Sequence, residues 1–439
     1  MSQRIDALIQ PRWTVRVEPE VRIEEGLAIA IDDGRIVDLL PVAEALERFA
    51  PDAHHERPRH LMLPGLINAH CHAGMALLRG YADDMALAQW LNDRIWPAES
   101  RWVSPQFVAD GTRLAIAEML LGGITCFADM YYYPDVVAEV SLETGIRSVV
   151  GMIALEFPTA WAANADEYIS KGLAVHDRYK GETLITTTFA PHAPYSVSDE
   201  TLMRIRKLAD ELEVPIHTHL HETADEIDQA LAATGRRPLD RLDTLGLLSP
   251  ALMAVHATQL NDDEIERLAT TQASVVHCPR SNLKLASGGC RVDALVKAGV
   301  NVALGTDGAA SNNRLDLMSE LQTAALFGKF IAADASAVDA ETAVRMATLG
   351  GARALNLASE TGSLVAGKAA DLFCVELAGP GALPILNPLS QLVYCASREQ
   401  VSDVWVAGAH LVNRGELTRM DSAAVNASAY DWAARLSSA

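Results

Sequence analysis

The sequence has 439 residues, of which 49% are hydrophobic, and a formal net charge of −21 at pH 7. This length and hydrophobic fraction suit a barrel domain of ~250 residues with a smaller companion domain. The negative charge repels phosphate backbones and anionic lipids, so we expect no nucleic-acid partner and no membrane-surface role.

The six cysteines are widely spaced and form no Cys-x-x-Cys pair: Cys71, Cys126, Cys278, Cys290, Cys374 and Cys395. This spacing argues against a disulfide framework, so we expect a cytoplasmic protein. The N-terminal segment MSQRIDALIQPRW lacks the apolar core of a signal peptide. Because no run of about 18 apolar residues occurs, the sequence predicts no transmembrane helix.

The two ends of the chain have the short alternating pattern of β-strands. Residues 1–60 contain GLAIAIDDGRIVDLLP, in which Asp32-Asp33-Gly34 is typical of a hairpin turn. Residues 366–439 contain ADLFCVEL and VSDVWVAGAHLVNRGEL, followed by a terminal helix. We therefore predict that the two ends pair into one small β-sandwich domain.

The central region, residues 61–365, alternates apolar strands with helical stretches such as 199–213 and 262–272. Eight candidate strands are largely apolar on both faces: 63–70, 123–130, 146–153, 183–190, 214–220, 251–257, 273–278 and 301–307. Such strands belong in a parallel sheet covered by helices, and eight βα units close into a barrel. The predicted fold class is α/β, a (β/α)8 TIM barrel with a small β-sandwich domain built from both chain ends.

Histidines and acidic residues collect at the predicted C-terminal ends of these strands, where TIM barrels carry their chemistry. In chain order they are His70, His72, His192, His217, His219, His221, Glu222, His256, His277 and Asp307.

The HxH pair of His70 and His72 indicates a metal site. On an extended chain two residues apart, both imidazoles face the same side and can hold one ion. Histidine nitrogens and an aspartate oxygen are usual ligands of catalytic zinc. An HxH pair alone is weak evidence, and His217, His219 and His221 cannot all be ligands. The combination with histidines and an aspartate from distant strands is stronger, because these residues converge only if the barrel closes.

At these residues the chain resembles the amidohydrolase superfamily. PGLINAHCHAGMALLRG (64–80) is similar to its PGxxxxHxH opening, and GTDGAASNNRLDL (305–317) to its strand-eight aspartate segment. Four further segments resemble the 5′-methylthioadenosine/S-adenosylhomocysteine deaminases: YADDMALAQWLNDRIWPAE (81–99), APHAPYSVS (190–198), HTHLHETADEI (217–227) and HCPRSNLKLASG (277–288). The resemblance covers most of the chain.

The resemblance implies one divalent metal ion, zinc before iron, held by His70, His72, His219 and Asp307. Binuclear members of the superfamily carry a carboxylated lysine at the end of strand four. Since TLITTTFAPH contains no lysine, the site is expected to be mononuclear. Cys71, inside the HxH, is expected to point away from the metal.

The resemblance also assigns catalytic and substrate-binding roles. Glu222 is the expected proton shuttle, and both Glu222 and Asp307 are expected to contact the substrate. His256 is expected to act in catalysis or to support the ligands. Glu99, placed in a loop after strand one, is expected to bind ribose hydroxyls, and His192 the purine or the sugar.

The reaction expected is hydrolytic deamination of the adenine ring of 5′-methylthioadenosine and S-adenosylhomocysteine, with adenosine as a further candidate, giving the inosine analogue and ammonia. Metal-bound hydroxide attacks C6, and Glu222 carries a proton from the water to N1. Asp307, with one oxygen free, aligns the nucleophile, and His256 stabilises the oxyanion or holds the hydroxide. Trp90, Trp96 and Met75 are candidates for an apolar thioether pocket or for core packing.

Other functions stay open at this point. Guanine or 8-oxoguanine deamination and chlorotriazine hydrolysis use the same metal site, although a ribose-binding Glu99 fits only a nucleoside. A non-catalytic scaffold is disfavoured because every ligand and Glu222 are present. The sequence does not rank the three adenine nucleosides or assign His217, His221 and His277. The resemblance implies a small-molecule nucleoside partner and a homodimer or homotetramer.

Overall fold

Two β-sheets organise residues 2–437, which the computed structural model describes. The strands are β1 Gln3–Arg16, β2 Arg22–Glu25, β3 Leu27–Asp32, β4 Arg35–Pro41, β5 Phe49–Pro64, β6 Leu66–Cys71, β7 Ile124–Asp129, β8 Arg147–Ala154, β9 Ile185–Pro191, β10 Ile216–Leu220, β11 Leu252–His256, β12 Ser274–His277, β13 Val302–Leu304, β14 Leu372–Glu376, β15 Val401–Val406, β16 Ala409–Asn413 and β17 Glu416–Leu417.

Most helices cover the barrel sheet or fill the connections between its strands, whereas α1 packs on the mixed sheet. They are α1 Val42–Arg48, α2 Leu87–Trp90, α3 Trp96–Trp102, α4 Pro105–Leu121, α5 Pro134–Thr144, α6 Ala165–Tyr179, α7 Asp199–Leu212, α8 Ala224–Thr234, α9 Pro238–Thr244, α10 Asp262–Thr271, α11 Pro279–Lys284, α12 Val292–Lys297, α13 Leu317–Ala332, α14 Ala340–Arg345, α15 Gly351–Ala354, α16 Pro388–Tyr394 and α17 Ser422–Ser437. Among residues 2–437, no helix is both long enough and apolar enough to cross a bilayer.

Strands β6 to β13 form an eight-stranded parallel sheet in strict chain order, with the two end strands brought together. The barrel is nearly closed by the Asp307 amide, which donates to the His70 carbonyl at 3.0 Å. All eight predicted strands are present, and nearly all of their residues are buried. The predicted fold class is therefore confirmed, because strands apolar on both faces require helices on one side and a packed barrel interior on the other.

The two helices singled out in the sequence are present as α7 and α10. Each begins at a side-chain cap: Ser198 accepts from the Thr201 amide, and Asn261 forms a capping box with Glu264. Each ends at a residue with left-handed backbone, Glu213 at φ 55° and Gln272 at φ 58°. These local signals explain why the predicted bounds lie within one residue of the observed ones.

The second sheet is mixed and combines both ends of the chain. Its strand order is β17-β16-β15-β14-β5-β1-β3-β4, with β2 paired to β1. The predicted hairpin joins β3 to β4, and its turn residues Asp33 and Gly34 both have positive φ, 48° and 72°. That pair of angles is the primed turn that matches strand twist. The domain divisions at residues 60 and 365 stay predictions.

The chain passes from the mixed sheet to the barrel at Gly65, between β5 and β6. A Cβ added there would lie 1.9 Å from Oγ1 of Thr125 on β7. Only glycine permits this approach, so Gly65 sets the path into β6 and the position of the histidines at its end.

Candidate active site

Four side chains from three strand ends meet at the C-terminal mouth of the barrel. His70 and His72 come from the end of β6 and His219 from β10, and one nitrogen of each lies within 4.8 Å of the others. Asp307, after β13, places Oδ1 3.4 Å from Nε2 of His70 and 3.2 Å from Nε2 of His72. The structure thus brings together all four residues that the sequence analysis assigned to the metal.

The outer nitrogen of each histidine is engaged, which directs the other nitrogen inward. Nδ1 of His72 donates to the Met130 carbonyl at 2.6 Å, and Nδ1 of His219 donates to the His192 carbonyl at 2.7 Å. These bonds leave the Nε2 lone pairs of both imidazoles pointing at the common centre.

The donor set fits a divalent ion. Nε2 of His70 is buried and has no hydrogen-bond partner within residues 2–437. A buried polar atom without a partner costs free energy, and a metal ion satisfies a nitrogen lone pair. Three imidazoles and one carboxylate suit catalytic zinc. Cys71 lies between the two β6 histidines and packs in the hydrophobic core, away from this centre, as expected.

Asp307 is held by contacts that the sequence analysis did not anticipate. Its Oδ2 accepts hydrogen bonds from the hydroxyls of Ser281 at 2.6 Å and Ser311 at 2.7 Å. The second oxygen is therefore engaged rather than free. Burial raises the pKa of Asp307, but the close contacts with His70 and His72 and the charges of these histidines outweigh it and hold the pKa well below its ordinary value.

Glu222 and His256 face the same part of the cavity. Glu222 follows β10, and its Oε2 lies 3.7 Å from Nε2 of His256. Nδ1 of His256 lies 2.8 Å from Oδ1 of Asn282, which orients the ring. Burial, and then the charge of Asp307, raise the pKa of Glu222 well above its ordinary value. A carboxyl group in this environment can both take and give a proton.

One cavity joins this centre to the remaining predicted residues. It is lined by side chains from eight or more segments, which include Met75, Trp90, Trp96, Glu99, Tyr131, His192, His219, Glu222, His256, Leu285 and Asp307. Trp90, Trp96 and Met75 line this cavity. The sequence had left two roles open for them, a place in the pocket or packing in the core. No lysine or arginine of the described chain lines it.

Glu99 lies in helix α3 and not in the loop that the sequence suggested. Pro97 stands in the first turn of α3, which continues without a break from the helical residues Leu87–Trp90 and Leu91–Ile95. Burial raises the pKa of Glu99 to about 7, against the nearby hydroxyls of Tyr131 and Tyr132, which lower it. Both tyrosines follow β7 and line the cavity, and the run Tyr131–Tyr133 was a signal that sequence reasoning missed.

His192 lies directly after β9 and connects the cavity to the metal centre. Its carbonyl orients His219, and its Nδ1 lies 3.0 Å from the Ser196 hydroxyl. Burial lowers the pKa of His192 to about 3, and the charge of His72 acts in the same direction. The ring is therefore neutral at physiological pH and offers Nε2 to the cavity.

Two other histidines belong to the surrounding structure. Nε2 of His221 accepts a hydrogen bond from the Leu239 amide at 3.1 Å and thereby ties α9 to the end of β10. His277, on β12, is buried and is not among the residues that line the cavity.

Comparison with known proteins gives consistent matches. A sequence model of the amidohydrolase family matches residues 61–411. The 5-methylthioadenosine/S-adenosylhomocysteine deaminase of Teredinibacter turnerae is 47% identical over 432 residues, which are 98% of each chain. An adenosine deaminase from Xanthomonas campestris, solved with bound zinc, is 50% identical, with full coverage of both chains and a TM-score of 0.99. The zinc complex of atrazine chlorohydrolase from Arthrobacter aurescens TC1 shares the fold at 24% identity, with a TM-score of 0.91 over 97% of this chain and 99% of that one.

Proposed function

We propose that this chain, which belongs to the amidohydrolase family, deaminates the adenine ring of 5′-methylthioadenosine and S-adenosylhomocysteine by hydrolysis, with adenosine as a further substrate. The observation that carries the proposal is one cavity in which the buried carboxyl of Glu222 faces His219 and Asp307 while Glu99 lies in a neighbouring wall. We also propose that it acts in the cytoplasm as a homodimer or homotetramer, as the sequence resemblance implies.

We propose zinc as the resident metal, held by His70, His72, His219 and Asp307. When bound, such an ion supplies a water molecule whose pKa is lowered from 15.7 to roughly 7. This proposal is supported by the unpartnered Nε2 of His70 and by the zinc in the Xanthomonas campestris relative.

Glu222 moves the proton that the reaction requires. Its carboxylate takes a proton from the attacking water as the C6–O bond forms and gives it to ring N1. The remaining proton of the attacking water passes from the C6 hydroxyl to the exocyclic nitrogen, the C6–N bond breaks as the C6–O double bond forms, and ammonia leaves. His256, whose Nδ1 donates to Oδ1 of Asn282, presents Nε2 as an acceptor that holds the attacking water in place. Asp307, fixed by two serine hydroxyls, is expected to keep the water on the face of the ring at C6.

Glu99 and His192 bind the substrate away from C6. A carboxylate accepts two hydroxyl hydrogen bonds, which suits the 2′ and 3′ oxygens of a ribose. Neutral His192 offers one ring nitrogen to the purine or the sugar. A free base would leave the buried Glu99 without these partners, and burial of an unpartnered carboxylate is costly. This favours a nucleoside over guanine, 8-oxoguanine or a chlorotriazine.

The proposal is tested by ammonia release from the zinc-loaded protein with 5′-methylthioadenosine, S-adenosylhomocysteine, adenosine, guanine and 8-oxoguanine. Protein stripped of metal by a chelator, and then reloaded, is the control. We expect turnover of the adenine nucleosides alone. Turnover of free bases alone would contradict the roles of Glu99 and His192, and zinc-loaded protein without any deaminase activity would overturn the function.

A further inference from the structure

His217 is a buried histidine for which the reaction described above has no use. It lies on β10 two residues before His219, with none of its surface exposed. Its Nε2 lies 2.9 Å from Nδ1 of His70. Its own Nδ1 is buried without a hydrogen-bond partner in the part of the chain that the structure describes.

The contact at His70 differs from those of the other two metal-site histidines. His72 and His219 donate to backbone carbonyls, which only accept, so each ring is held in one tautomer. The outer nitrogen of His70 faces another imidazole, in which each nitrogen can donate or accept. The tautomer of the His70 ring therefore depends on the tautomer of the His217 ring.

Only one arrangement of protons leaves His70 able to bind a metal. Its Nε2 must carry a lone pair, so its proton must lie on Nδ1. That N–H points at Nε2 of His217, which must then be unprotonated and accept. The single proton of His217 consequently lies on its Nδ1, the nitrogen that has no partner.

We propose that His217 is a positioning residue, which accepts the Nδ1 hydrogen bond of His70 and so keeps the Nε2 lone pair of His70 directed at the metal. This inference rests on the metal centre of the proposed function. Groups that accept the outer N–H of a ligating histidine fix its orientation and raise its basicity, and their loss typically weakens metal binding about 10- to 100-fold.

The alternative role for His217 is to fill space in the barrel interior. The two roles separate by substitution, because a glutamine side-chain oxygen can reach the position of Nε2, whereas leucine fills the space without an acceptor. His277 on β12 provides a matched control, since it is equally buried and lies outside the cavity.

The experiment measures the zinc dissociation constant by competition with a chromophoric chelator for the wild type, His217→Gln, His217→Leu and His277→Leu. We expect His217→Leu to bind zinc about 10- to 100-fold more weakly, and His217→Gln and His277→Leu to stay within a few-fold of the wild type. Thermal unfolding of each metal-free protein shows whether the substitution preserves the fold.

Each outcome decides the matter. Equal affinity of His217→Leu and the wild type would overturn the proposal, as would equal losses in His217→Leu and His217→Gln, which would indicate packing. Should the leucine variant not fold, His217→Asn takes its place, because the shorter amide cannot reach His70 and is expected to lose affinity while His217→Gln retains it. A wild type without one bound zinc would instead refute the metal centre, and with it the proposed function.

Discussion

Arg147 and Asp371 form a buried ion pair that joins the barrel to the mixed sheet. Nε of Arg147, at the start of β8, lies 2.8 Å from Oδ2 of Asp371, directly before β14. Their side chains are 4% and 0% exposed. The remaining polar atoms are also used, since Arg147 donates to the Thr183 carbonyl and Asp371 accepts from the Ala407 amide.

Asp371→Ala should therefore lower the free energy of unfolding by about 3–5 kcal/mol, because it leaves the guanidinium buried and unpaired. Urea unfolding followed by tryptophan fluorescence measures the change. The exposed pair of Arg4 and Asp52, at 81% and 54% exposure, is the control. Asp52→Ala should cost less than about 1 kcal/mol, and an equally small cost for Asp371→Ala would contradict the prediction.

Glu222→Gln should abolish most turnover while leaving zinc in place. Glutamine keeps the shape of the side chain but cannot carry a proton from water to N1, so kcat should fall about 10²- to 10⁴-fold. Ammonia release and the zinc content of the same preparation measure both quantities. Asp225→Asn, at an exposed acidic residue in the first turn of α8, should change neither. Near-normal kcat in Glu222→Gln would rule out the shuttle.

Glu99 should be coupled to the ribose hydroxyls of the substrate. In the wild type, 2′,3′-dideoxyadenosine should have a kcat/KM about 10- to 100-fold below that of adenosine, the range expected for hydrogen bonds to a charged group. Glu99→Ala should lower kcat/KM for adenosine by a similar factor. The same substitution should leave kcat/KM for the dideoxy analogue nearly unchanged. If kcat/KM falls by the same factor from adenosine to the dideoxy analogue in the wild type and in Glu99→Ala, Glu99 makes no such contact.

The cavity should disfavour a carboxylate on the 5′ substituent. Its charged lining is acidic and contains Glu99, Glu222 and Asp307, while Trp96 and Leu285 offer apolar contact. We expect kcat/KM to be lower for S-adenosylhomocysteine than for its decarboxylated analogue, because only S-adenosylhomocysteine carries the negative charge of a carboxylate.

The comparison of the last two substrates isolates the carboxylate, since they differ in no other group. The adjoining groove contains Arg236, whose substitution by alanine should leave their ratio unchanged. A preference for the carboxylate in the wild type that disappears in Arg236→Ala would show instead that the 5′ substituent extends into that groove.

Asp403 should make the mixed sheet sensitive to acid. Burial raises its pKa, but hydrogen bonds from Arg57, His410 and Ser402 outweigh it and hold the pKa well below the ordinary value. The folded state then binds fewer protons than the unfolded state, so this stabilisation is present above the unfolded pKa of about 3.9 and is lost as the pH falls below it. Asp403→Asn should be less stable than the wild type at pH 7.

The urea midpoints of both proteins between about pH 7 and pH 3 measure this difference. The gap between the wild type and Asp403→Asn should narrow as the pH falls below about 3.9, because Asp403 of the unfolded wild type then binds a proton that the folded state does not bind. A gap that stays constant over this range would mean that Asp403 keeps an ordinary pKa in the folded protein.

The barrel and the position of its active face followed from the sequence, because both depend on local patterns. Strands apolar on both faces, such as 146–153, belong in a covered parallel sheet whatever their neighbours are. The HxH of His70 and His72 indicates two imidazoles on one side of a strand, and the spacing from His219 to Glu222 places a carboxylate in the following turn. These relations span a few residues, so the chain itself fixes them.

Tertiary structure alone decided which distant atoms meet. The hydrogen bond of Ser281 to Asp307 joins residues 26 positions apart, and the contact of His217 with His70 joins residues 147 positions apart. The tyrosines beside Glu99 likewise come from another segment of the chain. Such contacts depend on the closure of the barrel and on the packing of each loop, and no periodicity in the sequence encodes them. The sequence also did not predict that Glu99 lies buried in a helix, because this depends on how residues 87–102 pack over the barrel mouth.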